Sequence, residues 1–86
     1  MQPSIVNLKK LIDNIKISLP LSKADILFIE KLLKFISYDK RHIVMKTYID
    51  VWHKAMAECI RPIAAMNVGR RAANTYLRDL IDERNS

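Results

Sequence analysis

Apolar residues at Ile5, Leu8, Ile12, Ile15 and Leu19 follow one another at steps of three and four, which sets them on one side of a helix, and Leu11 widens that side. The spacing predicts a first helix from about Ser4 to Ile17, with Ser4 as N-cap and Pro20 ending the pattern. Ser22 precedes Asp25 by three residues, a capping-box spacing with Asp in place of Glu, and Leu21 and Ile26 flank it where a hydrophobic staple would sit. From Ile26 to Ile36 only Glu30, Lys31 and Lys34 are polar, gathered into one narrow strip. The second helix is therefore expected to be the central, most buried one, paired with the first as a helical hairpin over residues 4–37.

A third helix, capped by Ser37 or Asp39, carries its apolar side on Met45, Tyr48, Trp52, Ala55 and Cys59. It should end near Ile60. Inside a helix, Pro62 would remove an amide donor and crowd the Glu58 carbonyl, at a cost of about 3 kcal/mol. Beyond this break a short helical turn over Ile63 to Met66, a turn at Asn67-Val68-Gly69 and a last helix from about Arg70 to Asp82 are expected, because Asn and Gly tolerate positive φ. The whole reads as one all-α domain over residues 1–86, with residues 39–82 forming the long third helix, the break near Pro62 and a basic C-terminal helix.

Composition narrows the class. The chain has 86 residues, 50% of them hydrophobic and 28% charged, with one Gly and three Pro, a balance that buries one small core and excludes disordered and linker-rich classes. A single cysteine, Cys59, makes an internal disulfide impossible, and the start lacks a basic signal-peptide region, so the expected setting is cytoplasmic. No apolar run approaches membrane-spanning length. His42 and His53 are eleven residues apart and His53 and Cys59 six, neither of which places two metal ligands on adjacent turns. With no Gly-rich phosphate loop, paired carboxylates or Ser/His/Asp set, the expectation is a protein without enzyme activity, metal or cofactor. Tyr48 and Trp52 could stack on bases, but their spacing assigns them to the core side of the third helix.

Charge supplies the one functional lead. A net charge of +6 favours polyanionic partners. All six arginines lie beyond residue 40, and no acidic residue stands between Glu58 and Asp79, whereas Arg61, Arg70, Arg71 and Arg78 do. In the last helix, Ala72, Ala73, Tyr76, Leu77 and Leu80 take one side and Arg70, Arg71, Asn74, Thr75 and Arg78 the other. Arginine forks match phosphate and guanine edges, and Asn pairs with adenine.

The segment from Ile63 to Leu80, with Asn67-Val68-Gly69 followed by Arg70-Arg71-Ala72-Ala73-Asn74-Thr75 and Tyr76-Leu77-Arg78-Asp79-Leu80, resembles the turn and recognition helix of helix-turn-helix DNA-binding domains. The resemblance covers about a fifth of the chain. It implies DNA contacts by Arg70, Arg71, Asn74, Thr75 and Arg78, with Val68, Ala73 and Leu77 packing. Two functions are thus expected: a small DNA-binding regulatory or accessory protein, or a helical interaction module or homo-oligomeric adaptor for an acidic protein partner. The apolar breadth of Leu27, Phe28, Leu32 and Phe35 adds an expectation of self-association through the N-terminal hairpin.

Overall fold

A computed structural model describes the backbone of residues 3–85 and the side chains of residues 9–83. Four helices follow one another, α1 (Pro3–Ser18), α2 (Lys23–Leu33), α3 (Tyr38–Glu58) and α4 (Pro62–Asn85), and no strand occurs among the described residues. The fold is all-α, as the periodicities predict. The side chains of Ser4, Ile5 and Leu8 lie outside the described residues; Ile12, Ile15 and Leu19 of the same stripe are buried.

At the start of α2 the Ser22 amide donates to Asp25 Oδ2 (2.9 Å) and the Asp25 amide donates to Ser22 Oγ (3.1 Å), closing the box expected from their spacing. Its C-terminal end is held from outside. Arg41 Nε donates, at 3.0 Å each, to the carbonyl of Leu33, which also accepts from the Ile36 amide, and to that of Ile36 in the connection. Ser37 stands at the N-cap of α3, without a side-chain bond to the helix.

The centre of the molecule is not α2. The long α3 and α4 form the main antiparallel contact, α1 rests on α3, and α2 rests on α4. The largest buried side chains, Trp52 and Tyr48, come from α3, while α2 buries Asp25, Ile29 and Leu33. Phe28 and Leu32 are half-buried against the core, and Leu27 and Phe35 are exposed. An eleven-residue helix can cover only part of a pair made of 21 and 24 residues, so length overrides local hydrophobicity in deciding which helices are central.

A second difference concerns the region after Pro62. Asn67, Val68 and Gly69 are helical, no described residue has positive φ, and α4 runs unbroken through the expected turn. Pro62 opens this helix rather than interrupting one, because the first helical position needs no amide donor and favours the φ of proline. The only break in this half of the described chain is Cys59–Arg61, where Cys59 is extended (φ −79°, ψ 126°). Gly69 serves close approach instead. A Cβ placed there would lie 2.6 Å from Trp52 Cδ1 and 2.7 Å from Met56 Cγ, so the residue marks where α3 and α4 come closest around the indole.

Candidate nucleic-acid interface

One face of α4 packs and another meets solvent. Gly69, Ala73, Leu77 and Ile81 are buried along a row of steps of four, and Arg71, Thr75 and Arg78 are exposed on the opposite side. The five residues expected to contact DNA therefore separate into two groups.

Arg70 and Asn74 are half-buried and bonded inward. Arg70 Nε donates to Asp25 Oδ2 at 2.8 Å in an ion pair, its Nη1 donates to Asn67 Oδ1 (3.0 Å), and its Nη2 reaches the Pro20 carbonyl at 3.4 Å. The same guanidinium lies 5.2 Å from the centre of the Trp52 ring, within cation–π range. Asn74 accepts from the Tyr48 hydroxyl and its Nδ2 lies 3.5 Å from Asp25 Oδ1. Tyr48 and Trp52 are fully buried core residues, with ring centres 6.1 Å apart.

Asp25 organises this cluster, touching the backbone of its own helix, Arg70 and Asn74. Burial pushes its carboxyl up, but the Ser22 amide, Arg70 and the Ser22 hydroxyl outweigh that effect and hold its pKa below the ordinary value. The Tyr48 phenol is driven well up, first by burial and then by the Asp25 charge, so it stays a neutral donor. These contacts tie α2, α3 and α4 together where α2 begins. Chemically they form a structural latch in which Asp25, Arg70, Asn74 and Tyr48 bond one another, while the buried Trp52 Nε1 has no hydrogen-bond partner.

Arg71, Thr75 and Arg78 remain as a solvent-facing set. Arg71 and Thr75 border a shallow depression of about 340 Å³ together with Val68 and Ala72. From Arg71 to Arg78 the helix rises about 10 Å, so the two guanidinium groups stand roughly two turns apart on one side. Past them the helix turns acidic, with exposed Asp79, Asp82 and Glu83. Among the described side chains, the basic face thus ends before the last third of α4.

No protein-family model, curated protein or solved structure matches this chain. Its function is read from geometry.

Other candidates resolve simply. His42 and His53 are exposed on α3. Cys59 is half-buried in the connection before α4, not buried on the apolar stripe, because α3 ends one residue earlier; its Sγ donates to the Arg61 carbonyl at 3.3 Å. Among the described residues, no three His, Cys, Asp or Glu side chains gather as a metal site, and no helix is long and apolar enough to cross a membrane. A wider cleft of about 400 Å³ lies between α1 and the start of α3, bordered by Lys10, Asn14, Asp39, Arg41 and His42. No sequence signal marks it, because its residues come from two segments distant along the chain.

Proposed function

We propose that this domain is a small nucleic-acid-binding accessory protein that docks on duplex DNA through the outward face of α4. The observation that carries the reading is the exposure of Arg71, Thr75 and Arg78 together on one side of an unbroken helix, in a stretch free of carboxylates from residue 59 to residue 78. Arg71 and Arg78 supply charge-assisted bonds to phosphate oxygens, and Thr75 supplies a hydroxyl between them. With Arg70 and Asn74 engaged in the latch, few side chains are left to read base edges, so the binding is governed by phosphate contacts and discriminates little between sequences.

The adaptor reading is favoured by a different observation, the exposed apolar side chains at the α3–α4 corner, and concerns a different surface. A salt series separates the phosphate account from sequence readout. Wild-type affinity for two duplexes of unrelated sequence should fall in parallel as salt rises. The Arg78→Ala variant, which neutralises one phosphate fewer, should flatten the slope by about one counterion. Strong preference for one duplex, persisting at high salt, would contradict the account.

A further inference from the structure

Two cations and an imidazole meet in the cleft between α1 and the start of α3. Lys10 comes from α1 and Arg41 and His42 from α3, around a space of about 400 Å³. Among the described residues none of the three is ion-paired to a carboxylate, although Asp39 borders the same space. Arg41 is the fixed point. Its Nε is held by the carbonyls of Leu33 and Ile36 and its side chain is half-buried, so the guanidinium is set in place before any ligand arrives. Those two bonds are its only hydrogen bonds to described residues, which leaves Nη1 and Nη2 as unspent donors.

We infer that this cleft binds a small sugar phosphate, with the phosphate on Arg41, Lys10 and His42 and the sugar hydroxyls on Asn14 and Asp39. The phosphate follows from the donors. A held guanidinium with two terminal nitrogens to give makes paired bonds to phosphate oxygens, the ammonium of Lys10 adds a point charge, and the His42 ring adds a further donor. The sugar follows from Asp39. With no cation bonded to it among the described residues, this carboxylate opposes a bare anion, whereas hydroxyls bring it donors without adding charge. Asn14 offers both a donor and an acceptor to the same hydroxyls. The volume lies within the range of small-molecule sites and exceeds what a phosphate alone would fill.

The surrounding charges keep the same sign. Within the lining, Lys10 and Arg41 outnumber Asp39, with His42 taken as neutral. Beside it on the same two helices stand exposed Lys9, Lys40 and Lys46 and one exposed acid, Asp13, none of which borders the space. The helix ends offset one another, because α3 begins here with its positive pole while α2 ends at Leu33 with its negative one, so the side chains decide. The cleft shares no residue with the depression on the outward face of α4, and the inference stands apart from duplex binding.

Calorimetric titration of the full chain with ribose 5-phosphate, ribose and inorganic phosphate tests this. Ribose 5-phosphate should bind, inorganic phosphate should bind about tenfold more weakly for want of the hydroxyl contacts, and ribose should not bind at the same concentrations. Lys10→Ala and His42→Ala should each weaken ribose 5-phosphate about tenfold, the loss of one bond to a charged group. Both side chains are exposed, so thermal unfolding should not shift. Arg41→Lys keeps the charge, loses the fork and should weaken binding further; should it unfold for want of its bonds to Leu33 and Ile36, the two exposed variants decide. Arg78→Ala should leave binding unchanged. Absence of ribose 5-phosphate binding at millimolar concentration, equal binding of ribose 5-phosphate and inorganic phosphate, or wild-type affinity in both exposed variants overturns the inference. So does weakening by Arg78→Ala, which places the phosphate on the outward face of α4, or a stronger, Lys10-dependent binding of a phosphoserine peptide, which identifies a phosphorylated protein.

Discussion

Asp25 illustrates how one side chain can serve two scales at once. Its Oδ2 accepts from both the Ser22 amide and Arg70 Nε, so the group that begins α2 also fastens α2 to α4. Since its folded pKa is lowered, the stabilisation is present above the unfolded value of about 3.9 and is lost as pH falls through the lower folded value. Urea midpoints followed from neutral pH down through the carboxylate range should therefore decline for the wild type and decline less for Asp25→Asn. At neutral pH that variant should be less stable by about 2–3 kcal/mol, a figure below that for fully buried pairs because Arg70 retains some contact with water. Gly69 gives a second residue-scale expectation. Alanine would gain about 1 kcal/mol in helix propensity, but its Cβ would press into the Trp52 ring and Met56, where overpacking costs about 1–3 kcal/mol. Gly69→Ala should thus unfold at lower urea than the wild type, and a rise in stability would show that the indole yields.

Among the elements, legibility follows the range of the interaction. The capping box at Ser22 and Asp25, the stripe of Met45, Tyr48 and Trp52, and the stop before Pro62 depend on residues a few positions apart, and all can be read in order along the chain. Ser22→Ala should accordingly cost about 1 kcal/mol in chemical unfolding, the usual loss for an N-cap. The prominence of α2 and the turn at Asn67 to Gly69 mislead for one reason. Both are expectations from local composition, whereas the outcome depends on which helix lies opposite: Gly69 is small for the sake of Trp52 on α3, and not for a left-handed turn. The division of the arginines is hidden in the same way. Arg70 and Arg71 are neighbours in sequence, but a step of 100° about the helix axis sends one toward Asp25, 45 residues away, and the other to solvent. A usable signal is present in Asp25 itself, an acid flanked by a predicted apolar face and lacking a cation on its own helix side.

On the scale of the molecule, an elongated body of 46 × 31 × 20 Å carries two surfaces with separate chemistry, a basic side on α4 and an apolar corner at the α3–α4 connection. Arg70 and Asn74, bonded to Asp25, add to neither surface. On the outer side of α2, Leu27 stands exposed among Lys23, Lys31 and Lys34, and Ile17, Phe35 and Ile43 are exposed elsewhere in the N-terminal half. Duplex binding by the outward face is the claim on which the functional account turns, and an anisotropy titration of a labelled duplex in low salt addresses it directly. The wild type should bind at micromolar concentration, the Arg71→Ala and Arg78→Ala variants should each bind every duplex more weakly while unfolding as the wild type does, and Asn74→Ala should lose stability without changing preference among sequences. Absence of wild-type binding at micromolar concentration, or a loss confined to one preferred sequence in a stably folded Asn74→Ala variant, would contradict the account.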